Sequence, residues 1–310
     1  MSAATATQRR PAESASPVPA GRPSWWHDPH RKPRILQAIT FGYLAWSLLP
    51  VVIAVVFSFN SGRSRTLWQG FSFRWYWGDP ERSVWHDATL HTALTHTLLL
   101  GVLVTAITVP LGVAFALGVD RWRGRLPEGA NLLMLLSFVI PEILLAVALL
   151  FLITQLSTPL ELGTSAQVAG LVTFQLSYPV VIVRARLLTI GKQYEQAAID
   201  LGASPMTAVR RVLLPMLAPA VLASAVLVFA DVIDDFVIVR YLSGDSSTEP
   251  TSVKIYNTAR AAPTPALNAL ATLTLLASLV VVVAGLLIFR WLRRGEAKEG
   301  SSLESFTGGL

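Results

Sequence analysis

Cysteine is absent from the 310 residues, which excludes a disulfide framework and a thiolate metal site and leaves compartment to be read from topology. Charge is scarce too: 14% of residues are charged against 53% hydrophobic, and the mean hydropathy is +0.53. That balance lies outside the soluble range and marks an integral membrane protein. A phosphate-binding loop is missing, because the one Gly-Lys pair, Gly191 and Lys192, is followed by Gln193 and has Arg186 at the distal glycine position. The chain therefore carries no ATPase of its own, and no motif arranges its Ser and His residues for catalysis. No short apolar core with a small-residue cleavage site precedes the first long apolar run, so an uncleaved first span is expected.

What is present is a set of long apolar runs. A helix crossing a ~30 Å hydrocarbon core needs about 20 mostly apolar residues. Six segments qualify, near 35–57, 97–119, 132–154, 166–183, 217–239 and 266–289. The expected fold is an all-α integral membrane protein of six transmembrane helices, residues 35–292, with a mobile tail at 1–34 and a second tail at 293–310. Trp25 and Trp26, beside Arg31, Lys32 and Arg34, suit an interfacial anchor. No duplicated half supports an internal inverted repeat.

Lys and Arg number 6, 3, 5 and 4 in the N-terminal tail and in the segments after the second, fourth and sixth spans, against 4, 0 and 3 in the remaining ones. Positive segments stay inside, so both termini are expected in the cytoplasm, on a multi-pass membrane protein. The loop at 60–96 then lies outside. It is rich in tryptophan and suits a lid, a docking surface or an interfacial helix. Its histidines, His86, His91 and His96, fall five apart, which does not stack them on one helical face as metal ligands require. No metal site is expected.

Between the fourth and fifth spans runs YEQAAIDLGASPMTAVRRVLLP, residues 194–215. Gly202 supplies a left-handed stop, Ser204 a cap and Pro205 a first-turn residue, which predicts helix, tight turn, helix. Pro215 is expected to end or kink the second helix. Held between two spans, the pair cannot easily reach a DNA groove, so nucleic acid is not expected as a partner.

Ionisable residues inside the spans are nearly all acidic. Glu142 follows Pro141 about ten residues into the third span, ~15 Å deep. Asp231, Asp234 and Asp235 lie late in the fifth, where i, i+3 and i, i+4 spacing puts them on one face. Desolvated carboxylates are costly, and few cations accompany them. Glu142, Asp231 and Asp235 are therefore expected to line a route for a cation, while Asp234 also suits a pair with Arg240 at the outer interface. A proton-coupled secondary transporter is a second possibility, but it leaves the capped helical pair without a role.

The 194–215 stretch resembles the EAA loop of ATP-binding-cassette importer permeases. Ala197 and Ala198 match, Gly202 follows after three residues, and after nine more Val212, Leu214 and Pro215 complete the pattern. Gln196 stands where Glu is usual, with Glu195 just before it. FADVIDDFVIV at 229–239, KIYNTAR at 254–260 and PALNAL at 265–270 are similar to the spermidine/putrescine branch. Val232 replaces a common Ser, Ala262 a common Gly, and Asp231 is an acid beyond the branch pattern.

The resemblance implies a permease forming the path for a polyamine, with a phosphonate, an iron complex or a sugar as alternatives. It implies a second permease subunit in a heterodimer, cytoplasmic ATP-binding subunits that use ATP and Mg, and an external solute-binding protein. The chain itself would bind no cofactor, and membrane lipid is a further partner. Coupling to the ATPase would fall to Glu195, Gln196, Ala197, Ala198, Asp200, Gly202, Leu214 and Pro215.

Overall fold

The computed structural model describes residues 34–64, 67–121, 125–156, 159–261 and 264–307. The tail expected at 1–34 falls, but for its last residue, outside them. Among the described residues the fold is helical, and its one β contact is an isolated bridge between Asn60 and Phe71.

The chain divides into a unit ending at Pro50 and a unit beginning at Val51. The first holds most of α1, Arg34–Ser58, whose side chains are exposed throughout from Arg34 to Pro50. The second carries α2 (Ala88–Arg121), α3 (Arg125–Val139), α4 (Glu142–Gln155), α5 (Thr164–Gln175), α6 (Ser177–Ile190) and α7 (Gln193–Asp200). It continues with α8 (Pro205–Ala208), α9 (Leu214–Asp234), α10 (Val237–Leu242), α11 (Thr251–Ala261) and α12 (Ala266–Thr307). Among the described residues five stretches are long and apolar enough to cross a membrane: Arg34–Ser58, Ala88–Arg121, Thr164–Ile190, Pro205–Asp234 and Ala266–Trp291.

The third expected span, 132–154, is not one helix. It breaks at Ile140 and Pro141 into α3 and the shorter apolar α4. Pro141 has no N–H to donate, and its ring turns the preceding residue away from helical angles. Glu142 therefore opens a helix and does not lie within one. The fifth span, expected to run to 239, also breaks: α9 stops at Asp234, Asp235 is extended (φ −55°, ψ 133°), and α10 starts at Val237. The i, i+4 step from Asp231 to Asp235 is lost there. Pro215 does not end its helix. The ladder widens over Val209–Leu213, closing with a bond from the Leu214 N–H to the Val209 carbonyl, and Pro215 then sits in the first turn of α9, where a missing donor costs little.

Helices α2, α6 and α9 pack together around Val180, Val183, Leu213 and Leu217. Lipid is as apolar as leucine, so contact between spans depends on small residues and polar pairs. Gly112 shows the first, since a Cβ there would come within 2.5 Å of the Pro179 ring. Gln167 shows the second. Fully buried in α5, it accepts from His96 Nε2 of α2 at 2.8 Å, which fixes that nitrogen as protonated. Its amide nitrogen reaches the Val239 carbonyl of α10, Ser243 Oγ and the Thr248 carbonyl at 3.3, 3.0 and 2.9 Å.

Replacing Gln167 with leucine would strand His96 and leave the Thr248 carbonyl with only a long bond from Ser243 Oγ at 3.4 Å. We expect the detergent-solubilised chain to lose about 2 kcal/mol, an unsatisfied-group penalty, read as a lower thermal midpoint. A midpoint equal to wild type would show that water replaces the amide.

Candidate functional site

Two places concentrate the residues singled out by sequence. In the first, two helix breaks meet beside a proline-bearing turn of a third span. Pro141 makes Glu142 the first residue of α4, the end of α9 turns Asp235 inward, and at the junction of α5 and α6 Leu176 keeps helical angles (φ −57°, ψ −31°) between Gln175 and Tyr178. The Asp235 side chain is buried, and the Glu142 carboxyl lies within hydrogen-bonding reach of it. One oxygen of Asp235 also accepts from the Val239 N–H at 3.2 Å, capping α10, while Ser252 Oγ donates to its carbonyl at 2.6 Å.

Asp231 is half-buried and accepts from Gln175 Nε2 at 2.5 Å. Gln175 is fully buried, and its Oε1 has no partner among the described residues. The Tyr178 hydroxyl lies in the field of both Asp231 and Glu142. Asp234 is exposed and makes no ion pair with Arg240 among the described residues. The structure thus brings together Glu142, Asp231 and Asp235 and leaves Asp234 out. Composition and spacing did not reveal Gln175 and Tyr178; the available signal was a Gln four residues and a Tyr one residue before Pro179, a proline that frees the carbonyl of Gln175.

Acids at broken helices within apolar spans form a polar cluster in surroundings that otherwise solvate charge poorly. Beside it opens a cavity of about 750 Å³ lined by Ile143, Phe236, Arg240, Tyr241, Tyr256 and Arg260, among others. The Arg260 guanidinium stands 4.4 Å above the Tyr256 ring, which in turn lies 5.0 Å from Phe236. Among the described residues no cluster of three His, Cys, Asp or Glu suits a metal. The histidines go separate ways: His86 to Ser83 Oγ at 2.9 Å, His91 to the Trp85 ring, and His96 to Gln167.

In the second place, α7 and α8 form a tight pair. Gly202 takes φ +89°, its N–H bonds the Ile199 carbonyl at 2.8 Å and the Ala203 N–H bonds the Ala198 carbonyl at 3.0 Å, a doubly bonded left-handed stop. Ser204 Oγ accepts from the Thr207 N–H at 3.3 Å, with Pro205 in the first turn. Gln196, Ala197, Asp200 and Gly202 are exposed, as are Leu201 at 90% and Met206 at 67%. Ala198 and Leu214 are half-buried, and Pro215 is exposed. Glu195 points the other way, buried and ion-paired with Arg121, the last residue of α2. It is not interchangeable with its neighbour Gln196.

The stretch from residue 108 to 298, which contains both places, matches the family described as binding-protein-dependent transport system inner membrane component. The chain belongs to this permease family. It is thus a multi-pass inner-membrane protein. Over 246 residues it is 34% identical to the spermidine/putrescine transport system permease protein PotC of Escherichia coli K12, covering 79% of this chain and 90% of that one. It is 30% identical over 246 residues to the putrescine transport system permease protein PotI of the same strain, covering 78% and 84%. Among solved structures, a chain of a bacterial ABC transporter importing the polysaccharide alginate superposes with a TM-score of 0.67 at 15% identity, covering 83% of this permease and 95% of that chain. At that identity the likeness speaks to the fold, and the family's all-α architecture is the one seen here.

Proposed function

We propose that this chain is one permease subunit of an ATP-driven importer, forming the membrane path for a small polyamine. The observation that carries this is the meeting of the Glu142 and Asp235 carboxyls at facing helix breaks, with Asp231 and Tyr178 beside them. A buried carboxyl beside a half-buried one repels it unless a cation or a proton comes between them. An ammonium group passing through answers that need, and Phe236 adds a ring face that favours the same charge. The relatives named for spermidine and putrescine point to the same solute.

In this reading both termini and the α7–α8 pair face the cytoplasm, as the Lys and Arg distribution favours. The exposed face of the pair, Gln196, Ala197, Asp200 and Gly202 with Leu201 and Met206, docks on an ATP-binding subunit, where ATP and Mg act. A second permease completes the path, and an external binding protein delivers the solute. The chain supplies no cofactor site of its own.

The test is copurification with the ATP-binding subunits, reconstitution into vesicles and uptake of labelled putrescine and spermidine. Uptake should require ATP and the binding protein. Uptake by the purified chain alone, driven by a pH gradient, would overturn the importer reading in favour of a proton-coupled carrier. ATP-dependent uptake of a sugar in place of polyamines would keep the class and change the solute.

A further inference from the structure

The loop between α1 and α2 has no part in either place described above, yet it is built with care. Asn60 is fully buried, and its amide folds the following turn. Its Nδ2 donates to the carbonyls of Ser64 and Leu67 at 2.9 and 3.0 Å, and its Oδ1 accepts from the Gln69 N–H at 2.8 Å. The Asn60 carbonyl accepts from Trp75 Nε1 at 2.7 Å. Trp75 and Tyr76 are thereby buried against the start of α12 around Ala266, Leu267 and Leu270. Arg74 and Asp79 close the far side with an ion pair at 2.8 Å, which holds the Asp79 carboxyl below its usual range.

This frame presents an apolar outer face. Leu67, Phe71 and Trp77 are 61%, 66% and 60% exposed, and Trp68 and Phe73 are each 44% exposed. The rings are ordered, not splayed: Phe59 stacks on Phe71 at 5.2 Å and 10°, and Phe73 stacks on Trp77 at 5.2 Å and 8°. Residues 67–73, Leu-Trp-Gln-Gly-Phe-Ser-Phe, include no charged side chain. Trp68 meets the ring of Phe57 edge-on at 6.2 Å. Phe57 belongs to the last turn of α1, where that apolar run ends at Ser58.

We propose that residues 67–77 form an interfacial anchor, seating Trp68, Phe71 and Phe73 among the lipid headgroups beside the end of α1. The depth follows from Phe57: a residue packed on the last turn of a span lies at the boundary between hydrocarbon and headgroups. The chemistry follows from the rings, since tryptophan and other amphipathic aromatics favour that boundary. With no charge over 67–73, the face itself offers an electrostatically steered protein partner no ion-pairing group. Because the face is held by Asn60 and Trp75 before it meets lipid, little ordering entropy opposes its insertion.

The absence of cysteine makes the test direct. Single cysteines at Leu67 and Phe71, with Arg82 and Val102 as controls, would carry nitroxide labels in the assembled transporter in lipid nanodiscs. Collisions with oxygen, which collects in lipid, are compared with those of a water-soluble nickel chelate. At 67 and 71 oxygen should dominate, approaching the ratio at 102, with the chelate dominant at 82. Chelate dominance at 67 and 71 would overturn the proposal by placing the loop in water. Weak collisions with both reagents would overturn it too, by showing that a protein covers the face. A label-free check is quenching of tryptophan emission by brominated lipid. It should weaken in the Trp68→Tyr, Trp77→Tyr double variant, and unchanged quenching would count against the anchor.

Discussion

Asparagine at both Asp231 and Asp235 should lower polyamine uptake at least about 100-fold without preventing insertion or assembly. Truncating one side of a desolvated charge pair costs roughly 2–5 kcal/mol, and every 1.4 kcal/mol is about tenfold. Two such losses along one path exceed the threshold even if each falls at the low end. The amide is the informative substitution because it removes charge and keeps shape. At 235 its oxygen still accepts from the Val239 N–H, so α10 keeps its cap. At 231 its oxygen still accepts from Gln175 Nε2. Fold and path are thereby separated, which alanine would not do. Asp234→Asn, at an exposed position, is the control and should transport as wild type. The measurement is ATP-driven uptake of labelled spermidine into vesicles, with intact assembly shown by copurification. Wild-type uptake by the double variant would remove the carboxylates from the path.

Sequence rules reached the helical pair because its signals are local. Gly202, Ser204 and Pro205 each act through their own backbone, and no distant partner alters what a left-handed glycine or a capping hydroxyl does. Five of the six expected spans were legible for a related reason, since apolar length decides whether a helix can cross. The breaks were not legible. Pro50, Pro110 and Pro219 sit inside continuous helices, whereas Pro141 ends one and begins another. A proline frees a carbonyl wherever it stands. Whether the helix survives depends on what packs there, and neighbouring spans supply that. The acids show the consequence. Helical spacing put Asp231, Asp234 and Asp235 on one face, but α9 ends at Asp234, so Asp234 stays exposed and Asp235 turns inward to Glu142. Glu195 failed to declare itself likewise, since nothing in a short polar helix says that one of two adjacent acid or amide side chains will find Arg121.

That pairing yields the second large effect. Arg121→Met should uncouple transport, cutting uptake about tenfold or more while the partner's ATP hydrolysis continues, although Arg121 lies outside the α7–α8 pair. Glu195 is buried, so removing its partner leaves a carboxylate desolvated and uncompensated. Such a loss is about 3–5 kcal/mol for a fully buried pair and is less here because Arg121 is about one-third exposed. The charge joins the pair to the end of α2, a helix of 34 residues whose other half carries His96, hydrogen-bonded to Gln167. At ~1.5 Å per residue α2 is ~51 Å long, enough to cross the membrane. On the proposed function, a movement of the pair reaches the spans both along the continuous Pro205–Asp234 stretch and through Arg121 to α2, and Arg121→Met removes the second of these ties. Three variants separate this brace from a direct contact with the ATPase. If Glu195 met the ATPase, Arg121→Met would leave uptake unchanged and Glu195→Gln alone would lower it. If Glu195 braces the pair from within, both singles fail alike, and the exchange of Arg121→Glu with Glu195→Arg recovers part of the loss. Gln196→Glu, on the exposed side of the same helix, should leave the brace intact, so any change it causes reports on the docked partner and not on the fold.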